Sequence, residues 1–136
     1  MADLSLSLQN DFGELPSLAE NVSIFLESHQ APDETVFAAN LAIEELVTNI
    51  IKYGYDDRDA HTISLRLSLT PESLQIEIRD DGHEFNPFNQ PEPDTTLPAN
   101  ERDIGGLGIH FVRKMLDSCD YCRQDGTNIV TVTKKL

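Results

Sequence analysis

Apolar and polar residues alternate at the start of the chain, and the pattern then changes to a helical spacing. Single polar residues separate the leucines within residues 4–8, a period of two that predicts a half-buried first strand. From Leu15 the apolar residues recur every three or four positions, which predicts an amphipathic helix that ends before Ala31. Pro16 suits the first turn of this helix, because a missing N–H costs nothing there.

A second helix is predicted from Pro32 to about Tyr53. Its first residues, Asp33 and Glu34, place negative charge at the positive end of the helix dipole. Gly54 follows directly and is expected to close the helix in the left-handed conformation. The buried side is expected to comprise Ala42, Ile43, Leu46, Val47, Ile50 and Ile51.

The rest of the chain predicts two strand pairs and a third helix. Alternating apolar residues in 63–69 and 74–78, joined by a turn at Thr70-Pro71-Glu72, predict two antiparallel strands. A helical spacing then predicts the third helix, and an Asp125-Gly126 turn predicts a hairpin of two short strands after it. The third helix is marked by Gly108, Val112, Met115, Leu116 and Cys119.

Residues 83–104 interrupt these patterns. They hold four of the seven prolines and no periodic apolar spacing, which is typical of a functional lid or a disordered loop. The predicted order of elements is therefore β-α-α-β-β-loop-α-β-β. Because helices and strands come in blocks, we expect an α+β fold, a two-layer α/β sandwich with three helices on one face of a mixed, mostly antiparallel sheet.

The length and charge of the chain restrict its function. Its 136 residues suit a single domain, and 24 acidic against 10 basic residues give a net charge of −14, so nucleic acids and anionic membranes are poor partners. No apolar run could cross a bilayer, and the first residues lack the features of a signal peptide, so we expect a cytoplasmic protein. Cys119 and Cys122 lack a second ligand pair for zinc and are expected to be ordinary core and strand thiols.

Three polar residues of the second predicted helix lie on the same side of it. Glu45, Asn49 and Lys52 fall within about 60° of one another at about 100° per residue. A carboxylate, an amide and an ammonium group are thus placed where they could act on one ligand. The alternative is a solvated helix face, which most amphipathic helices have.

Two glycine-containing motifs lie at the ends of predicted elements. Asp80-Asp81-Gly82 follows a strand, where a carboxylate can accept from an exocyclic amine and glycine lets a ring approach the backbone. Gly105-Gly106-Leu107-Gly108 enters the third helix, where unpaired N–H groups favour a phosphate, although neither the P-loop nor the dinucleotide-binding pattern is present. Taken singly, the first motif could be a plain turn and the second a flexible hinge.

Together and in this order, the three motifs resemble those of the GHKL ATPases, the superfamily of gyrase, heat-shock chaperones, histidine kinases and mismatch-repair proteins. Residues 45–53 resemble the N box of that superfamily, Asp80-Asp81-Gly82 resembles its G1 box, and Gly106-Leu107-Gly108 resembles its G2 box. Within that superfamily, the chain resembles the bacterial anti-sigma-factor serine/threonine kinases. The similarity lies in its small size, the Thr48-Asn49 pair with Gly54-Tyr55, and residues 105–110 followed by Val112-Arg113-Lys114. The similarity covers nearly the whole chain.

This resemblance implies the Bergerat ATP-binding fold, with ATP and Mg²⁺ as cofactors. It implies that Glu45 is the general base, that Asn49 is the Mg²⁺ ligand and that Asp80 binds the adenine amine. Gly82 would lie against the base, and Lys52 would contact phosphate. The phosphate cradle would comprise Gly105, Gly106, Leu107 and Gly108.

The resemblance also implies a partner-switching function. The chain would be one domain over residues 1–136, with a flexible ATP lid at about 83–104. It would be an ATP-dependent serine/threonine protein kinase and anti-sigma regulatory factor that phosphorylates an antagonist protein. Its second partner would be a sigma factor or an analogous regulator, and a homodimer is expected.

Two alternatives to this function stay open. Glu84 stands where many G1 boxes have a small residue, and Ile104 stands where some family members have a basic residue. These two departures favour a nucleotide-sensing binding module that sequesters its partner without phosphotransfer. A detached histidine-kinase catalytic domain is less favoured, because the four histidines are scattered and no phosphoacceptor hairpin is present.

Overall fold

The computed structural model describes residues 2–89 and 104–136, and it describes the side chains of these residues except 104–107. Within this part of the chain the helices and strands follow the predicted order. Strands β1 to β5 span Ala2–Gln9, Thr62–Leu69, Ser73–Asp80, Ser118–Gln124 and Thr127–Lys135. Helices α1 to α3 span Leu15–Ser28, Asp33–Tyr53 and Ile104–Met115, and short 3₁₀ turns span Phe12–Glu14 and Pro87–Asn89.

The strands form one sheet in the order β1-β2-β3-β5-β4. Every neighbouring pair among the described strands is antiparallel, so the prediction of a mixed sheet is wrong, whereas the two-layer α+β class is confirmed. Strands β3 and β4 do run parallel, but β5 lies between them because the last hairpin folds back into the sheet. The end of β3 therefore lies beside the start of β5, where Asp80 is paired with Asn128.

Alternate residues of the central strands build the core against the helices. Leu65 lies opposite Ile78 and Leu67 opposite Ile76 across β2 and β3, and all of them are at most 2% exposed. Helix α2 contributes Leu46 and its apolar neighbours to the same cluster. Burial of one such side chain contributes about 1.5–3 kcal/mol, and a slip of one residue would turn the whole face to water. The hydrophobic pattern thus sets the strand register on which the candidate site depends.

Helix α2 ends as predicted at Tyr53, but it does not end in the predicted conformation. Gly54 has φ −79°, so the left-handed closing residue predicted from the sequence is wrong. The Gly54 N–H instead donates to the Ile50 carbonyl at 2.8 Å and continues the right-handed turn. Glycine is needed here because a Cβ would overlap the Ile50 carbonyl. The carbonyl of Gly54 itself accepts from the His83 N–H at 2.8 Å.

Helix α3 differs from its prediction at both ends. It begins at Ile104, so the backbone of Gly105-Gly106-Leu107-Gly108 lies in its first turns and not in a loop before it. It ends at Met115, and Cys119 lies in β4, because the Asp117 N–H already donates to Thr133 of the sheet at 2.8 Å. Most of the predicted lid, residues 90–103, lies outside the described residues.

The predicted hairpin turn at Asp125-Gly126 is confirmed. Asp125 and Gly126 both have positive φ, 51° and 77°, as expected of the turn in a tight hairpin. Cys119 and Cys122 are free thiols on β4, one half-buried and one exposed. Along the part of the chain that the structure describes, no helix is both long and apolar enough to span a bilayer.

Candidate functional site

A narrow cleft lies between α2, the ends of β3 and β5, and the segment after β3. The empty space between these elements is about 350 Å³, a volume that includes open solvent at the mouth of the cleft. Apolar groups form most of the wall, and a few polar side chains converge on it, as is typical of sites for small ligands. The lining residues are Leu46, Asn49, Ile50, Gly54, Asp80, His83, Phe85, Pro87, Asn128 and Val130.

Asp80 is the buried carboxylate of this cleft. It ends β3, is 5% exposed, and its Oδ1 accepts from the Gly82 N–H at 2.9 Å and from Asn128 Nδ2 at 3.0 Å. Burial raises the pKa of Asp80, whereas these two donors and the nearby charge of Arg123 oppose the rise. Its other oxygen, Oδ2, receives no hydrogen bond within residues 2–89 and 108–136. The carboxylate can therefore accept a further donor from a ligand.

Gly82 allows the chain to pass close to the end of α2. A Cβ at this position would overlap the Gly54 carbonyl and would lie 3.0 Å from Asp80 Oδ1. Because the obstacle is backbone, it cannot move aside as a side chain would. The glycine thus holds the segment after β3 against α2, next to the Asp80 carboxylate.

Asn49 and Glu45 lie one turn apart on α2, and Lys52 lies further along it. Asn49 is 7% exposed and lines the cleft, while Lys52 is exposed to solvent. Glu45 is half-buried, and this burial, together with the charge of Glu44, raises the pKa of its carboxyl, while Lys52 lowers it. A carboxylate with a raised pKa is better suited to accept a proton near neutral pH.

Gly108 brings the first turns of α3 against Glu45. A Cβ at Gly108 would overlap the Glu45 carboxylate, so only glycine permits this approach without moving the side chain. The glycine motif and the α2 carboxylate, 63 residues apart in the sequence, are therefore direct neighbours in space. Gly105, Gly106 and the backbone of Leu107 lie in the same turns of α3.

Asn128 is a polar residue of the cleft that the sequence analysis missed. It is 3% exposed, and its amide nitrogen donates to Asp80 and to the His83 carbonyl. Its amide oxygen accepts from Arg123 Nη1 at 2.9 Å and from the Tyr121 hydroxyl at 2.6 Å. The only signal in the sequence is a polar residue at the start of an apolar strand, and its position opposite Asp80 depends on a sheet order that periodicity does not give.

The loop between α2 and β2 contacts the Asp80-Asp81-Gly82 segment through His61. The His61 ring stacks on Tyr55 at 4.1 Å, and its two nitrogens lie 2.7 Å from Asp57 and 3.3 Å from Asp81. The hydrogen bond to Asp57 and the contact with Asp81 raise the pKa of His61, and the same hydrogen bond lowers the pKa of Asp57. Burial, followed by the charges of Asp80 and Asp81, raises the pKa of the Tyr55 phenol.

The donor set of the cleft fits Mg²⁺ held mainly by a ligand's own oxygens. Within residues 2–89 and 108–136, no three His, Cys, Asp or Glu side chains converge as a preformed metal cage. Mg²⁺ usually takes only one or two protein oxygens and completes its shell with phosphates and water. The amide of Asn49, buried at the cleft, can supply such an oxygen.

Comparisons with known proteins agree with this architecture. The family described as "Histidine kinase-like ATPase domain" matches residues 8–134. The serine/threonine-protein kinase BtrW of Bordetella bronchiseptica is 26% identical over 97 residues, which cover 71% of this chain and 68% of BtrW. The serine-protein kinase RsbW of Bacillus subtilis is 24% identical over 101 residues, 71% of this chain and 62% of RsbW. The anti-sigma F factor of Clostridium perfringens is 23% identical over 116 residues, 84% of this chain and 83% of that factor.

A solved structure shares the fold. The crystal structure of the RsbU and RsbW domains of Rv1364c from Mycobacterium tuberculosis superposes with a TM-score of 0.70 at 14% identity, covering 100% of this chain and 32% of that chain. The family match spans almost the whole of the present sequence, from the end of β1 to the end of β5. The chain therefore belongs to the family of histidine kinase-like ATPase domains.

Proposed function

We propose that this chain is an ATP-dependent serine/threonine protein kinase that acts as an anti-sigma regulatory factor. One observation carries the proposal. Asp80 and Asn49 meet in one cleft, and the neighbouring Glu45 lies against Gly108, although these residues come from three separate stretches of the sequence. Family membership and relatives named as serine-protein kinases and an anti-sigma factor support the same activity.

Adenine recognition is assigned to Asp80. A buried carboxylate with an oxygen left for a ligand accepts a hydrogen bond from an exocyclic amine and cannot donate one while ionised. Gly82, whose backbone packs on the end of α2, would pass beside the base. The apolar wall of the cleft, including Leu46 and Val130, would contact the faces of the base.

Phosphate and metal binding are assigned to α2 and the first turns of α3. Asn49 would hold Mg²⁺ through its amide oxygen, and Mg²⁺ would neutralise charge on the phosphates. Lys52 would add a positive charge near them. The backbone N–H groups at the start of α3, an anion-binding arrangement, would cradle the phosphates through Gly105, Gly106, Leu107 and Gly108.

Glu45 is assigned the role of general base. In the transfer step a serine or threonine hydroxyl of the substrate protein attacks the terminal phosphorus of ATP, the bond to the bridging oxygen breaks, and ADP leaves. Glu45 would accept the hydroxyl proton, for which its raised pKa is suited. Positioning and electrostatic stabilisation would provide most of the remaining rate enhancement.

The partners belong to the proposal as well. The substrate would be an antagonist protein, and the second partner a sigma factor or an analogous regulator, as the relatives' names suggest. We expect the whole of residues 1–136 to act as one domain, with a lid at about 83–104, in a cytoplasmic homodimer. The net charge of −14 argues against direct contact with nucleic acid or an anionic membrane.

Phosphotransfer from γ-labelled ATP to candidate antagonist proteins tests this function. The proposal predicts label on a serine or threonine of the antagonist, and loss of that label in the Asp80→Asn variant. A pure nucleotide-sensing module, the alternative favoured by Glu84 and Ile104, would bind ATP and its partner but label nothing. Bound nucleotide without transfer to any antagonist would therefore select that module instead.

A further inference from the structure

Arg123 of β4 contacts the candidate adenine site from outside the cleft. Its Nη1 donates to the Asn128 amide oxygen at 2.9 Å and to the Gly82 carbonyl at 3.1 Å. Arg123 itself is exposed, whereas Asn128 is 3% exposed. One guanidinium group thus joins the last hairpin to the segment that follows Asp80.

The hydrogen bonds around Asn128 allow only one orientation of its amide. A guanidinium group has donors and no acceptor, so the atom that contacts Arg123 must be the amide oxygen. The Tyr121 hydroxyl lies 2.6 Å from the same oxygen and donates to it. The amide nitrogen then faces two acceptors, the Asp80 carboxylate and the His83 carbonyl. A flipped amide would lose the hydrogen bonds to Arg123, Asp80 and His83 and could keep only the contact with the Tyr121 hydroxyl, which can also accept.

The orientation of Asn128 in turn determines which oxygen of Asp80 is occupied. Oδ1 accepts from Asn128 and from the Gly82 N–H, two donors on one oxygen. Oδ2 accepts none from the described side chains and backbone, and it belongs to a residue that lines the cleft. Asp80 therefore presents to a ligand an oxygen that accepts no hydrogen bond from the described residues.

We propose that Arg123, acting through Asn128, is a positioning residue that makes the Asp80 carboxylate select a purine with an amine at C6, and so sets the preference for adenine over guanine. This inference rests on the proposed function, because it requires a purine nucleotide in the cleft. Adenine presents an amine donor at the position where guanine presents a carbonyl acceptor. An ionised carboxylate attracts the first and repels the second.

Loss of Arg123 would weaken this preference without abolishing nucleotide binding. Without the guanidinium group, the Asn128 amide oxygen keeps only the Tyr121 hydroxyl as a donor, so the amide is held less firmly and its hydrogen bond to Asp80 weakens. Asp80 also loses a nearby positive charge, so it takes up a proton more readily, and a protonated carboxyl can donate to a carbonyl of the ligand. The contacts of the base faces and phosphates are unaffected, because Arg123 does not line the cleft.

The test is a thermodynamic cycle that combines the Arg123→Gln substitution with removal of the amine from the ligand. Isothermal titration calorimetry measures the Kd of Mg·ADP and of the Mg²⁺ complex of purine riboside 5′-diphosphate, which lacks the amine. We expect the wild type to prefer ADP by about tenfold or more, and Arg123→Gln to reduce this preference to about threefold or less. Binding of the ligand without the amine should change by less than about threefold, since it never contacts Asp80 through that group.

Two further variants control the cycle. Arg79→Gln removes an arginine of the same sheet that is 50% exposed and pairs with Glu77, and it should keep the wild-type preference. Arg123→Lys keeps one charged donor and should restore at least part of the preference lost in Arg123→Gln. Because Arg123 and Arg79 are both exposed, all three variants are expected to fold, which thermal unfolding checks.

Each outcome bears on a different claim. If the wild type binds neither ligand, the proposed function fails and this inference fails with it. If the wild type prefers ADP and Arg123→Gln prefers it equally, the inference is overturned while the proposed function stands. Equal weakening of both ligands by Arg123→Gln would also overturn it, because a merely structural role does not depend on the amine.

Discussion

At the scale of single residues, the two carboxylates of the candidate site, Asp80 and Glu45, differ in their surroundings. Asp80 is almost fully enclosed, yet two donors and a nearby guanidinium group favour its charged form. Glu45 is half-buried, and burial raises its pKa, as it also raises the pKa of Asp80. What distinguishes Asp80 is the pair of donors on its Oδ1. We therefore propose that Asp80 accepts a fixed hydrogen bond from a ligand and that Glu45 accepts a proton.

The first prediction concerns Glu45. Glu45→Gln keeps the size of the side chain beside Gly108 but removes the base. We expect transfer of the terminal phosphate to fall by about 100-fold or more, while the Kd of Mg·ADP changes by less than about threefold. Single-turnover transfer and calorimetry measure the two quantities. A Glu45→Gln variant that transfers phosphate at the wild-type rate would contradict the assigned role.

The second prediction concerns Asn49. Asn49→Ala removes the amide oxygen assigned to Mg²⁺, so the affinity for Mg·ADP should fall by about tenfold or more. In EDTA the wild type and the variant should bind ADP with the same weak affinity. Calorimetric titrations with and without Mg²⁺ provide the comparison. A loss of the same size in both conditions would mean that Asn49 acts on the nucleotide or the fold and not on the metal.

At the scale of the elements, two glycines control how closely α2 approaches its neighbours, and they differ in what they face. Gly82 faces the backbone carbonyl of Gly54, whereas Gly108 faces the end of the flexible Glu45 side chain. Added methyl groups would therefore have different consequences. At Gly82 a backbone segment has to move, while at Gly108 only a carboxylate has to turn away.

The third prediction follows from this difference. Gly108→Ala should leave the free energy of unfolding unchanged or raise it by up to about 1 kcal/mol, because alanine favours a helix. It should nevertheless reduce phosphotransfer by about tenfold or more, since Glu45 is displaced. Gly82→Ala should lower the stability by about 1–3 kcal/mol, because the added methyl group overlaps the Gly54 carbonyl.

Gly13→Ala is the matched control for both glycine variants. Its Cβ would lie 3.4 Å from Asp11, an ordinary contact, in the turn before α1. Denaturant unfolding and single-turnover transfer should leave this variant close to the wild type. If Gly108→Ala transferred phosphate as well as Gly13→Ala, the position of Glu45 would not matter for the reaction.

The fourth prediction concerns the loop between α2 and β2. His61 contacts Asp57 and Asp81, and its pKa is raised in the folded protein. Its contribution to stability is then fully present below about pH 6.5, the usual pKa of histidine, and is lost as the pH rises through the folded pKa. The lowered pKa of Asp57 extends this contribution down towards the acid range.

Thermal unfolding of His61→Gln tests this pH dependence. The difference in Tm between the wild type and the variant should be larger at pH 6 than at pH 9. His29→Gln, at the C-cap of α1 and away from these carboxylates, should show no such trend. A constant difference for His61→Gln across this range would show that the ring stabilises the loop only through its stacking on Tyr55.

The elements show which features local patterns can predict. The period-two segments, the ends of α1 and α2 and the Asp125-Gly126 turn follow from side-chain spacing and glycine chemistry. The start of α3 could not be predicted in this way, because glycines disfavour a helix and only the approach to Glu45 explains one of them. Asn128 was missed because its partner, Asp80, is 48 residues away and is brought beside it by the sheet order.

At the scale of the whole molecule, the net charge of the chain opposes the binding of an anionic ligand, whereas the fold provides a cleft for it. The chain carries −14, and ATP is itself an anion, so the two repel at long range. The proposed function therefore needs local compensation of charge, which we assign to Mg²⁺, the start of α3 and Lys52. The sheet order forms the cleft itself, because β5 lies beside β3 and closes the cleft around Asp80.

A crystal structure with Mg²⁺ and a non-hydrolysable ATP analogue tests most directly whether the three stretches surround one nucleotide. The account predicts the adenine amine at about 3 Å from Asp80 Oδ2, Mg²⁺ on the Asn49 amide oxygen, and the phosphates at the first turns of α3. A nucleotide bound elsewhere, or an adenine amine with no contact to Asp80, would contradict it.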